Sequence, residues 1–337
     1  GGGAVAAVGR TLFLSQGQDV LAFDVTDPTA PGLLSTIPVY EYGRQLLVDG
    51  ARLFVVTAGR GLLVLDVADP AWPRVIKWFE DIDVHMIAPF GSLALALVAE
   101  EREVPGHPEL KTEVQSLRVL DLSPGAASAD IGRLELEEGT AAAQDLLAIG
   151  SRAFLCLQST VVVVDAGDPT HPTEVASLRL PWSSNMGSAN PRRDFVAPGR
   201  IALAGDRLLA TFNDYSPSGA HSGESGVVAF DIADPAAARD VGAWSQGAPA
   251  HVDNLAVVGD VLYVAEMPAY RMRVYDIADR LRPRQVSSIE VDTLVRDFAA
   301  SGSRLVVLDG GSYALHVLDV SDPASPKVLA RRELWRA

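Results

Sequence analysis

Seven times along the chain a short apolar run ends against an aspartate and then continues with one more apolar residue. The runs are Leu21-Ala22-Phe23-Asp24-Val25, Leu63-Val64-Leu65-Asp66-Val67, Arg118-Val119-Leu120-Asp121-Leu122 and Val162-Val163-Val164-Asp165-Ala166, followed by Val228-Ala229-Phe230-Asp231-Ile232, Arg273-Val274-Tyr275-Asp276-Ile277 and His316-Val317-Leu318-Asp319-Val320. The aspartates stand at positions 24, 66, 121, 165, 231, 276 and 319, so successive steps are 42, 55, 44, 66, 45 and 43 residues. Upstream of each lie two further apolar runs around a Gly or Asp turn, such as Leu46-Leu47-Val48-Asp49-Gly50 before Leu53-Phe54-Val55-Val56. Downstream lies a fourth, such as Arg74-Val75-Ile76-Lys77. Short length, β-branched content and Gly/Pro punctuation favour strands over helices. Four strands recurring about every 43 residues is the length of one propeller blade.

The turn after the signature strand repeats as well. Asp27-Pro28, Asp69-Pro70, Asp168-Pro169, Asp234-Pro235 and Asp322-Pro323 occupy equivalent places, and a second proline follows at Pro31, Pro73, Pro172, Pro283 and Pro326. Blade three departs with Ser123-Pro124 and blade six with Asp279-Arg280. An aspartate accepts hydrogen bonds from turn N–H groups and a proline fixes φ at the next position, so these segments read as turn caps rather than a calcium array.

The expected architecture is all-β: one domain over residues 1–337, a seven-bladed β-propeller of four-stranded antiparallel blades. The approximate blades are 1–38, 39–80, 81–138, 139–181, 182–245, 246–290 and 291–337. The segments Leu-Val-Leu-Asp-Val-(Ala/Ser)-Asp-Pro resemble the LVIVD repeat family, β-propellers of bacterial and archaeal exported or surface proteins. That resemblance implies the fold and an extracellular or cell-surface setting, with the targeting segment outside this chain. It implies no shared chemistry, so function has to be read from the site.

Composition narrows the partners. The net charge is −15, which repels a phosphate backbone and argues against nucleic acid. No apolar stretch reaches the ~18 residues of a membrane span, so no direct membrane insertion is expected of this chain. Cys156 is the single cysteine and sits in an apolar strand run, which excludes an intrachain disulfide and reads as a small buried hydrophobe. Neither a phosphate-cradling Gly-rich loop, a Gly-x-Ser-x-Gly elbow nor a His-Glu-x-x-His pair is present.

Two departures from the repeat single out candidate sites. Strands of a blade run outward from the channel as A, B, C and D, so the D–A links and B–C turns share one face, here called the top. The long steps contain Glu100 to Ser116 (B–C, blade three), Pro181 to Arg200 (D–A into blade five) and Asn213 to Gly226 (B–C, blade five). All three are expected as top-face loops, with Trp182, Tyr215 and His221 as contact residues. The second departure is a set of polar residues at the starts of the inner strands: Arg44, Asp83, His85, Asp145, His251, Asp253, Asn254, Arg296 and Asp297, with Gln45 and Gln144. They should converge on the channel mouth, as a wet polar lumen, as inter-blade salt links, or as a ligand or metal site built from His85, His251 and neighbouring carboxylates. The resulting expectation is a non-enzymatic interaction or scaffold module without a required cofactor, binding a protein or surface ligand through the top of blades three to five. The alternatives are an enzyme, either a hydrolase or a metal-dependent oxidoreductase with its site at the channel mouth, and a purely structural domain of a larger surface assembly.

Overall fold

A computed structural model describes residues 3–59, 61–104, 107–125, 130–136, 143–157, 160–179, 195–197, 199–215, 221–234, 237–245, 251–267, 270–279, 282–291, 294–310 and 314–333. They form seven antiparallel sheets, each built from consecutive strands, which are the seven blades of a β-propeller. The inner strands are β1 (Val5–Val8), β5 (Gly43–Asp49), β9 (Val84–Phe90), β13 (Asp145–Ile149), β22 (His251–Val258) and β26 (Val295–Ser301). In blade five the inner position is shared by two short strands, β17 (Phe195–Ala197) and β18 (Ile201–Ala204), which pair the same second strand, β19 (Arg207–Tyr215). The described residues contain no α-helix.

The core lies between blades. Strand β6 (Arg52–Thr57) shows why the second strands read as unbroken apolar runs rather than as alternations. Successive side chains of a strand point to opposite faces, and both faces of this sheet are covered by a neighbour. Leu53 and Val55 enter the cluster between blades one and two, while Phe54 and Val56 enter the one between blades two and three. Equivalent clusters fill the other five junctions, including the one between blades seven and one.

All seven signature aspartates cap a turn. In each, Oδ1 accepts the N–H two residues on, at Thr26, Ala68, Ser123, Gly167, Ala233, Ala278 and Ser321, over 2.8–3.1 Å. The aspartates of the Asp-Pro pairs repeat the device: Asp27, Asp69, Asp168 and Asp322 accept from Thr29, Ala71, Thr170 and Ala324. These turns lie on the bottom face, opposite the channel mouth and the B–C turns.

Ring closure uses no shared strand. The last strand, β29 (Lys327–Glu333), completes the sheet of β26, and β1 begins another. The seam is packed by Phe23, Leu315 and Val317 and held by hydrogen bonds from Ser301 to the Gly9 carbonyl and from Arg332 to the Pro31 carbonyl, with the Arg332 guanidinium 4.7 Å from the Phe23 ring centre.

Two of the three expected loops are largely strand. The hairpin of blade three is formed by β10 (Leu93–Val104) and β11 (His107–Asp121), which pair in regular register from Leu93 with Asp121 out to Glu103 with Lys111, well into the segment expected as a loop. In blade five, β19 continues to Tyr215 and β20 (His221–Asp231) begins at His221. The inserted residues extend an existing ladder, because pairing onto a formed hairpin satisfies backbone groups that a loop would leave to water. Part of the third segment is also strand, since β17 pairs the extended end of β19. Trp182 lies outside the described residues, as do the side chains of Tyr215 and His221.

Candidate functional site: the channel mouth and the hairpins beside it

The inner strands begin with a recurrent irregularity that sorts their polar residues. In β5 the register passes from Gly43 to Gln45, leaving Arg44 as the extra residue of a β-bulge. The same slip leaves out His85 in β9, Asp253 in β22 and Arg296 in β26. A bulge twists the strand and re-aims the extra side chain. In blade five, the Thr211 hydroxyl accepts the N–H groups of Gly199 and Arg200, both at 2.9 Å, and so holds the break between β17 and β18 that places Arg200.

The residue after the bulge in β5, β22 and β26, and the first residue of β13, do a different job. The Gln45 side-chain Oε1 accepts the Ile87 N–H at 2.9 Å, Asp145 accepts the Ile201 N–H at 2.9 Å and Asp297 accepts the Val5 N–H at 3.0 Å. Asn254 donates to the Arg296 carbonyl at 3.2 Å. Each is a latch from one inner strand to that of the next blade. Two further junctions are latched from the second strand: Asn213 exchanges two hydrogen bonds with the Val252 backbone, and Ser15 with that of Gly43. Gly43 has to be glycine, since a Cβ there would collide with the Ser15 side chain. The polar pairs at the strand starts thus divide into channel-facing and latching members. The latches run from side chain to backbone.

A cavity of about 540 Å³ occupies the channel at this level. Its polar lining is Arg44, Gln45, His85, Gln144, Asp145, Arg200 and Asp297, and its apolar lining includes Ala6, Leu46, Met86 and Phe298. Arg44, His85, Asp145 and Asp297 are therefore brought together, whereas Asp83, His251, Asn254 and Arg296 lie outside that lining. The side chain of Asp253 is outside the described residues. His85 Nε2 stands 3.4 Å from Asp83 Oδ2. Among the described residues no three His, Cys, Asp or Glu side chains are grouped as cation ligands, so His85 and His251 do not share such a cluster.

Charge in the cavity is balanced closely. Arg200 Nη1 lies 3.9 Å from Asp145 Oδ1. Burial pushes the Asp145 carboxyl above the ordinary value, with Arg200 and the bonded N–H groups pulling the other way. Asp297 is raised for the same reason, and Asp145 adds to it. Cys156 pairs Asp145 across the sheet; burial first, then that carboxylate, push its thiol well up, which fits an unreactive buried thiol. Arg200 was not singled out from sequence. It occupies the same place before an inner strand as Arg44, but the long segment ahead of it hides where that strand starts.

The hairpins rise around this mouth. β9 leaves β10 at Val98 and β12 (Asp130–Glu135) leaves β11 at Ser116, but β10 and β11 stay paired as far as Val104 and His107, across one irregularity after Glu103. Glu100 to Val104 thus runs roughly 17 Å beyond both flanking strands. Its base is braced by ion pairs: Arg118 binds Glu100 and Asp130, Arg133 binds Glu100 at 3.0 Å, and Arg102 binds Glu135 at 2.7 Å.

The LVIVD repeat family matches residues 142–179 and 295–331, which are blade four and most of blade seven. No curated protein matches the sequence. Among solved structures, the chain is similar to the β-propeller domain of Cps50 (Swd1) from Myceliophteria thermophila, with 11% identity, 95% of this chain and 97% of that one covered, and a TM-score of 0.64. It is similar to the periplasmic gluconolactonase PpgL of Pseudomonas aeruginosa at 18% identity, with 86% and 85% covered and a TM-score of 0.59. It is also similar to BamB from Moraxella catarrhalis at 10% identity, with 91% and 79% covered and a TM-score of 0.54. At such identities the likeness is one of fold. The chain is thus a seven-bladed β-propeller in which two blades match the LVIVD repeat.

Proposed function

We propose that the protein is a non-enzymatic interaction module of the cell envelope or surface, which engages a protein partner through the top face of blades three to five. The observation that carries this reading is the blade-three hairpin, which outruns both flanking strands beside the channel mouth on a braced base. Among the described residues, its outward edges have no strand neighbour beyond Val98 and Ser116, and an open edge is what an extended partner segment pairs with. Glu101, Glu103 and Glu113 on this stretch, partly offset by Lys111, keep the edge from self-pairing and favour a basic partner. An exported setting is supported by the family resemblance and is compatible with a chain in which no described helix is long and apolar enough to cross a membrane.

The test is to shorten the hairpin by replacing 101–113 with a two-residue turn, and separately to delete 216–224. Melting is then checked and partner capture from the source organism repeated. Loss of the captured partner with an unchanged melting transition is the expected result. Capture that survives both changes would contradict the reading.

A further inference from the structure

Hydrogen-bonding capacity at the channel mouth is divided unevenly between acceptors and donors. The four carboxylate oxygens of Asp145 and Asp297 already accept backbone N–H groups, from Leu146, Ile201, Phe298 and Val5. The cationic side chains are unspent. Arg44 makes no hydrogen bond or ion pair among the described residues, and the Arg200 guanidinium makes only the 3.9 Å approach to Asp145, too long for a hydrogen bond. Each guanidinium carries five donors in a fixed fork suited to a planar anion. Both line one cavity of about 540 Å³, within the usual range for a small-molecule site.

We propose that the channel mouth binds a small organic monocarboxylate, held by Arg44 and Arg200. The bulge in β5 and the Thr211-held break in blade five aim the two arginines at a common space, and the apolar wall of Leu46, Met86 and Phe298 receives the ligand's body. The latching carboxylates choose among anions. A phosphate dianion would meet Asp145 and Asp297 with twice the charge of a carboxylate, so the less charged group is preferred. The site is independent of the hairpins.

Titration calorimetry at low ionic strength tests this with gluconate and hexanoate, each against a neutral counterpart (glucose, hexanamide), and with inorganic phosphate. The expected result is that at least one carboxylate binds tenfold or more tightly than its neutral counterpart and than phosphate. Arg44→Gln and Arg200→Gln should each weaken that binding tenfold or more, Arg44→Lys less, and the hairpin-shortened protein should retain it. Exposed Arg44 decides the matter if Arg200→Gln fails to fold. Absence of binding by both carboxylates, tighter binding of phosphate, or binding indifferent to Arg44→Gln would overturn the proposal.

Discussion

At the scale of single residues, aspartate does two opposite things in this protein, and pH separates them. The signature aspartates are half-buried acceptors in turns. At Asp121, Asp231, Asp276 and Asp319 the bonded backbone N–H leads in holding the carboxyl below the ordinary value, and at Asp319 it falls from 3.8 to about 2. A lowered acid contributes stability that is present above the unfolded value and is lost as pH falls through the folded one. Denaturant midpoints should therefore drop as pH goes from about 4 to about 2, and Asp319→Asn should flatten part of that drop. Asp145 and Asp297 have the reverse sign. Their carboxyls are raised by burial, so their contribution is lost as pH rises above 3.8. The turn role also predicts a silent mutation: Asp69→Ala should cost about 0.5–1 kcal/mol in denaturant unfolding and leave partner capture intact. Asp69 was legible as a cap because its neighbours Pro70 and Pro73 recur with it. The latching role of Asp145 and Asp297 was not, because a carboxylate before an inner strand reads the same whether it faces the channel or the next blade.

At the scale of elements, strands of one sequence pattern differ in what covers them. The second strands are apolar throughout because each face meets another blade, and Phe54, fully buried between blades two and three, is a direct gauge. Phe54→Ala should destabilise by about 3–5 kcal/mol, read from chemical unfolding. These strands were legible to within a residue or two, since continuous apolar character and Gly turns mark both ends. The hairpins were not. Ser222-Gly223-Glu224-Ser225 has loop composition, and Glu100-Glu101-Arg102-Glu103 has a solvated-face composition, yet both stand in strands that run out from the core. Register carried over from the buried part of a hairpin decides that outcome, and it is a property of the pair of strands rather than of either segment.

For the whole molecule, seven blades close by latches and packing, leaving both termini free of any shared sheet. That closure makes the two faces chemically distinct. The bottom carries the repeated Asp turns, with Trp72 exposed among them at 77%. The top carries the bulged inner strands, the cavity and the braced hairpins. The repeat made the ring and its faces readable in advance, because strand order alone fixes which connections share a side. The placement of Arg200 beside Asp145 depended on a break in one strand that no periodicity announces. Recognition at the top face is tested most directly by site-specific photo-cross-linking in the source organism, with the reactive residue at 103 or 111 on the hairpin and, in a separate protein, at 72 on the bottom. The account predicts a discrete partner adduct from 103 and 111 and none from 72. An adduct from 72 with none from the hairpin would contradict it.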